Sequence, residues 1–269
     1  MVALSLSHLT VLNVAPPALF DLAAQAGYQN VGIRIFPAVP GAVCYPLGSA
    51  RLVEWRMRMA DAGVAIHDVE FIPVTPELRV GDYAAGIALA AELGAKRLNV
   101  SGDDADADRL AVNFGALCDI AGDAGMGVDL EFMRFRTVGT LHKALDIITR
   151  AARPNGRLLI DLLHLFRSGG TADMLRHVPI DAFGSVQLCD APLQDPGDAD
   201  IVDETRVGRL FPGEGGLPLL ELMNALPSAI PVSVEVPTGR THPSLSALQT
   251  AIMGQAASLR LLQSWHPSR

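Results

Sequence analysis

Paired cysteines, clustered basic residues and long apolar runs are all missing from this chain of 269 residues. Cys44, Cys118 and Cys189 are odd in number, lie far apart and form no CxxC pair. That spacing excludes a disulfide framework and a zinc knuckle, and it fits a reducing cytoplasm. No apolar run approaches the length needed to cross a bilayer, and the opening MVALSLSHLTVLNVAPP lacks the basic segment of a secretory signal, so a soluble, cytoplasmic protein is expected. A net charge of −8 with no local basic cluster opposes both nucleic acid and anionic membrane as partners. Aromatic residues make up 5% of a composition that is 49% hydrophobic, which points to an enzyme scaffold packed with Val, Ile, Leu and Ala rather than an aromatic recognition surface.

What is present is a strand and helix alternation. Short β-rich runs fall at 3–8, 30–35, 64–71, 97–100, 127–132, 157–162, 184–188 and 231–236, giving eight expected strands. Helical stretches lie between them. Over 138–152, for example, Val138, Leu141, Leu145, Ile148 and Ala152 share one face. Such alternation implies parallel strands, and eight of them can close a (β/α)8 TIM barrel that occupies 1–269 as one domain. No GxGxxG turn follows the first strand, which weakens the open, nucleotide-binding sheet as an alternative. The longest irregular stretch, 190–216, is rich in Asp, Pro and Gly and is read as a lid over the catalytic rim.

In VDLEFM, LLIDLLH, SVQLCD and PVSVEVP an apolar strand ends in Glu131, Asp161, Gln187 and Glu235 respectively. In a closed barrel these four ends lie side by side around one rim. Three clustered carboxylates would repel one another, and a divalent cation reverses that repulsion. Oxygen ligands favour Mn²⁺ first, with Mg²⁺, Co²⁺ and Zn²⁺ as alternatives. The competing structural expectation is that arginines pair with these acids in a salt-bridged rim.

The motifs LEFM, DLLHLFRSGG, VQLCDAP, RLFPGEGG and SVEVP, in this order, resemble the sugar isomerase and epimerase superfamily with xylose-isomerase-like barrels. The resemblance spans most of the chain and is most specific in its C-terminal half. It implies that Glu131, Asp161, Gln187 and Glu235 are metal ligands and that Glu131 and Glu235 also transfer protons. The implied partner is a small polyhydroxy ketone, whose α-proton leaves to give a metal-stabilised enediolate. Return of the proton gives an isomerase or epimerase, the first reading. Loss of a β-hydroxyl gives a 3-dehydroshikimate-type or inosose-type dehydratase, the alternative. Gln187 stands where ketohexose epimerases of the superfamily carry His, and it is reminiscent of the dehydratases. A homo-oligomer is expected.

Other residues complete the expected site. His164, three residues after Asp161, contacts substrate in the implied pattern, and Arg209 leans in beneath the long loop to hold a hydroxyl or carboxylate. Glu214 within PGEGG makes that loop a poor phosphate cradle. His8 and Glu70 sit on the same rim and either line the pocket or bond neighbouring loops. Arg34, Asn99 and Arg167 occupy similar positions without an assigned contact, and Cys189 is an inert small hydrophobe. Lys96 and Lys143 are the only lysines and neither is at the catalytic rim, so a Schiff-base aldolase is excluded. An endonuclease IV type nuclease would need many histidine ligands, and the seven histidines present are mostly misplaced for that, while a non-catalytic sugar-binding barrel is the hypothesis from another class.

Overall fold

The computed structural model describes residues 3–267. Its strands are β1 (Leu4–Leu6), β2 (Asn30–Arg34), β3 (Ala65–Val74), β4 (Arg97–Gly102), β5 (Gly127–Glu131), β6 (Gly156–Asp161), β7 (Phe183–Leu188) and β8 (Val232–Val234). They pair in parallel in chain order, and β1 closes the barrel against β8 through Leu4 opposite Val232 and Leu6 opposite Val234. This is the expected TIM barrel. The α-helices are α1 (Pro16–Gln25), α2 (Ser49–Ala62), α3 (Ala84–Glu92), α4 (Ala107–Asp123), α5 (Leu141–Ala151), α6 (Leu162–Arg167), α7 (Ala172–Arg176), α8 (Ile201–Val207), α9 (Leu219–Asn224) and α10 (Ala247–Gln263).

Element ends follow local chemistry. The helix expected over 138–152 begins at Leu141, because the Thr140 hydroxyl accepts the Lys143 N–H and caps the first turn. Ser246 and Gln249 cap α10 reciprocally. Strand β8 is shorter than expected: it starts after Pro231, which has no N–H to give a ladder, and beyond Glu235 the Val236 N–H turns to Thr10 Oγ1 instead of a neighbouring strand. Strand β3 is longer, because Ile72 and Val74 continue to pair with Val100 and Gly102. The segment 190–216 is not wholly irregular: it contains α8 and an antiparallel bridge between Asp190 and Leu210.

Aliphatic side chains pack mainly between sheet and helices, while the barrel interior is polar. Asp129 on β5 reaches over β6 to accept a hydrogen bond from Ser185 Oγ on β7 at 2.7 Å, so its carboxylate lies inside the barrel. Arg97 pairs with the same carboxylate, and Asn99 Nδ2 donates to Asp68 Oδ2 at 2.9 Å. These contacts offset the desolvation of the two carboxylates, while Asn99 Oδ1 and Ser101 Oγ stay without a hydrogen-bond partner among the described residues. Glycines provide the room. A Cβ on Gly32 would lie 2.7 Å from Asp68 Oδ2, and one on Gly184 would run into the Asp129 carboxylate. Because strand side chains alternate, the residue two positions beyond each interior residue faces the same way one layer higher, at the carboxyl-end rim. Asp68 is followed by Glu70, Asp129 by Glu131, Ser185 by Gln187 and Ser233 by Glu235.

Gly184→Ala is therefore expected to destabilise the protein by about 1–3 kcal/mol through overpacking against Asp129. Gly115→Ala, in α4 with its nearest neighbour 3.8 Å away, should be neutral or stabilise by about 0.5–1 kcal/mol. Urea unfolding of both variants checks the contrast, and equal effects would contradict the interior packing described.

Candidate metal-binding active site

Strands β5 to β8 deliver Glu131, Asp161, Gln187 and Glu235 to one rim, all of them buried. Asp161 and Gln187 are paired across β6 and β7, and Gln187 Nε2 donates to Glu235 Oε1 at 2.8 Å. The four expected residues therefore share a neighbourhood, and His164 joins them from the first turn of α6. Its Nε2 lies 3.7 Å from Glu131 Oε1, and its backbone N–H donates to Asp161 Oδ1 at 3.0 Å. Glu131, Asp161 and His164 each offer a ligand atom, and these atoms lie within 4.8 Å of one another. Reading His164 only as a substrate contact overlooks this proximity, which arises because the Asp161 side chain caps the helix that carries it.

The electrostatics suit a cation. Burial pushes the Glu131 carboxyl well above the usual carboxylate range, and the charges of Glu235 and Asp161 add to the shift. Burial also raises Glu235, to about 7, against the opposing pull of Arg209. Asp161 stays below its ordinary value despite burial, because the Arg209 guanidinium stands beside it. Burial lowers His164 to about 4, so its ring is neutral and able to ligate. Three buried atoms here have no hydrogen-bond partner among the described residues: Gln187 Oε1, His164 Nδ1 and Arg209 Nη2, the last meeting Glu235 as an ion pair only. An unpaired carbonyl oxygen, a carboxylate with no arginine beside it and a neutral imidazole fit a divalent metal.

Arg209 leans into the site beneath the long loop and lines the cavity over it, and it also pairs with two of the expected ligands. Its guanidinium is fully buried between two of the expected ligands, with Nη1 2.5 Å from Asp161 Oδ2 and Nη2 2.9 Å from Glu235 Oε2. Nε donates to the Thr205 carbonyl at 3.0 Å. The salt-bridged rim thus exists for Asp161 and Glu235, while no arginine pairs with Glu131 among the described residues.

A cavity of about 250 Å³ opens over this floor. Leu9, Leu12, Phe71, Met133 and Phe135 give it an apolar wall, and the Phe135 ring stands edge-on to His164 at 5.8 Å. Arg34 and Glu70 line the other side as a buried pair 2.5 Å apart. Ser7 Oγ donates to Glu235 Oε1 at 2.7 Å and lies 3.3 Å from Glu70 Oε1, linking this pair to the acid cluster. Asn99 reaches the cavity wall as well. His8 does not: its ring bonds Val14 O through Nε2 and the Arg34 N–H through Nδ1, securing a loop. Ser7, Met133 and Phe135 carry no sequence signal, since nothing in their local pattern separates them from packing residues. Cys189 is buried beside Arg209, and burial pushes its thiol up, away from the reactive thiolate.

The segment 190–216 is tied down rather than free. Asp190 accepts the backbone N–H groups of Ala191, Gly213, Gly215 and Leu217 at 2.8–3.1 Å, which uses the glycines as a carboxylate nest within the fold. Arg167, buried and outside the cavity lining, pairs with Glu204 at 2.7 Å and donates to the Pro192 carbonyl at 2.6 Å. Arg134 holds Asp195 and Asp198.

Residues 20–261 match the model of the family described as the xylose isomerase-like TIM barrel. A 3-dehydroshikimate dehydratase from Pseudomonas putida is 28% identical over 224 residues, covering 78% of this chain and 34% of that protein. One from Pseudomonas aeruginosa is 31% identical over 111 residues, covering 41% of this chain and 17% of that protein. The chain thus spans about a third or less of these curated relatives. Among solved structures, an IolI protein with a bound zinc atom aligns with a TM-score of 0.81 at 18% identity, covering 98% of this chain and 99% of that one. A D-psicose 3-epimerase with D-fructose aligns with a TM-score of 0.72 at 14% identity, covering 96% and 97%. At these identities the structural likeness is one of fold.

Breaking the buried Arg167–Glu204 pair should be costly. Glu204→Leu leaves the Arg167 charge uncompensated and is expected to destabilise by about 3–5 kcal/mol, whereas the double variant with Arg167→Met should recover much of the loss. Denaturant titration of the three proteins checks this, and equal stability of wild type and Glu204→Leu would show that the pair does not hold the loop.

Proposed function

The chain belongs to the xylose isomerase-like TIM barrel family, and on that premise we propose that it is a divalent-metal-dependent enzyme that removes the proton α to the ketone of a small polyhydroxy compound. One observation carries this reading: Glu131, Asp161 and His164 bring three ligand atoms together in a buried cluster, and Glu131, His164 and Gln187, whose carbonyl oxygen is unpaired, line the cavity. Glu131, Asp161, Gln187 and Glu235, with His164 beside them, are the residues that would hold the ion, Mn²⁺ in the first instance. When bound, the ion supplies positive charge that stabilises negative charge developing on the ketone oxygen.

The protein groups supply positioning and proton movement. Glu131, free of any arginine, is suited to take the α-proton. Glu235, fixed by Ser7 and Gln187, is suited to return a proton or to hold a substrate hydroxyl. The apolar wall of Leu9, Leu12, Phe71, Met133 and Phe135 favours a compact ring with an apolar face over a chain bearing a hydroxyl at every carbon, and it excludes water from the reacting carbon.

Both outcomes of proton removal remain in the family's range. Dehydration of a 3-dehydroshikimate-type substrate moves ahead of the epimerase reading, supported by Gln187 and by the two dehydratase relatives. In that reaction the α-carbon loses a proton and the β-carbon loses hydroxide, which leaves as water once protonated, and a carbon–carbon double bond forms between them. Epimerisation is the second reading, favoured by the presence of two carboxyl groups, Glu131 and Glu235, lining one cavity.

Proton NMR in deuterated water, with Mn²⁺ and a panel of 3-dehydroshikimate, inosose-type ketones and ketohexoses, tests the proposal. Solvent deuterium uptake, abolished by chelator and restored by Mn²⁺, is expected, with the aromatic product from 3-dehydroshikimate distinguishing dehydration from epimerisation. Absence of exchange with every compound would count against enolisation. Glu131→Gln and Glu235→Gln should retain the fold by circular dichroism while losing at least about 10³-fold in kcat, since each removes a charged group that acts in proton transfer. Near-normal turnover in either would assign its proton-transfer role elsewhere.

A further inference from the structure

The position of Arg209 has a meaning beyond substrate contact. Its guanidinium is 0% exposed and touches Asp161 and Glu235, two of the residues proposed to hold the metal. Its other polar contacts fix it in place: Nε donates to Thr205 O, Nη1 lies 3.2 Å from Cys189 Sγ, and the Arg209 carbonyl accepts from Thr241 Oγ1 at 2.7 Å. The backbone that carries it is held in turn by the Asp190 nest and the Arg167–Glu204 pair. Three buried carboxylates in one cluster would destabilise the fold unless a positive charge stood among them.

We infer that Arg209 is the resident cation of the metal-free protein: it stabilises Asp161 and Glu235 when no metal is present, and it weakens the binding of the metal that takes over that task. Two cations attracted to the same carboxylates repel each other, so the guanidinium and the metal are thermodynamically opposed. Arg209 is in this sense a positioning and affinity-setting residue, and it lets the barrel fold before metal arrives. The inference rests on the reading of this cluster as a metal site.

The test uses the complete chain and Mn²⁺ alone, with no substrate. Calorimetric titration gives the Kd, and thermal unfolding is measured in chelator and in excess Mn²⁺, for wild type and Arg209→Gln. Wild type should bind Mn²⁺ yet remain folded in chelator. R209Q should melt at least about 5 °C lower than wild type in chelator, regain most of that in Mn²⁺, and bind Mn²⁺ about tenfold or more tightly. An R209Q protein that folds only when Mn²⁺ is present supports the same conclusion. If it folds in neither condition, Arg209→Lys decides: retention of the charge should keep the Kd within about threefold of wild type, and a much tighter Kd in R209K would overturn the inference. Unchanged or weaker Mn²⁺ binding by R209Q would overturn it too, making Arg209 a bracket for the metal-bound arrangement. Failure of wild type to bind Mn²⁺ would instead overturn the metal reading on which it rests.

Discussion

Like charges brought together out of water set the terms for the rest of the molecule. Glu131, Asp161 and Glu235 stand at the carboxyl ends of β5, β6 and β8 in a closed barrel, with Gln187 of β7 between the last two, and alternation along the strands turns them to the same mouth. Much of the surrounding structure answers that repulsion. Arg209 comes down from the β7–β8 connection, Gln187 and Ser7 donate to Glu235, and the first turn of α6 directs an N–H at Asp161. The long connection is secured by its own buried pair and carboxylate nest because it must carry a guanidinium to a fixed depth. The same unsatisfied charge that makes the cluster costly to fold makes it attractive to a divalent ion.

The barrel interior extends the pattern downward. A barrel filled with branched aliphatics would be cheap to build, but here Asp68, Asn99, Asp129 and Ser185 form a polar layer directly beneath the site. Burial raises the Asp68 carboxyl well above its ordinary value, with the charges of Glu70 and Asp129 adding to it, and Arg97 at the amino end of β4 forms an ion pair with Asp129. The rim residues consequently stand on hydrogen-bonded side chains with little freedom, which is the support a preorganised site requires.

Much of this was legible in the sequence. Eight apolar runs with helical stretches between them lead directly to a closed parallel sheet, and acids or amides at strand ends are visible because they interrupt β-rich runs. Glu131, Asp161, Gln187 and Glu235 stand together as that reading requires. What escaped it depends on direction rather than on type. His164 is a histidine on a helix until the Asp161 cap turns its ring toward Glu131, and Arg209 is an arginine on a loop until the loop is anchored. Helix α8 was hidden inside a stretch rich in Asp, Pro and Gly, whose composition favours turns but whose Ile201 and Thr205 still find a buried face. The apolar wall of the cavity comes from loops after different strands, so no local periodicity announces it.

The pairing of glycine with carboxylate inside the barrel has a consequence for descent. Gly32 with Asp68 and Gly184 with Asp129 are lock and key on separate strands: a methyl group on either glycine meets an oxygen of its acid. The glycine cannot gain a side chain while its acid is in place, so the acid is the partner that must change first. Lineages that lose the interior acid become free to fill the glycine, and a relative bearing a larger residue at one position should bear a smaller or uncharged one at the other.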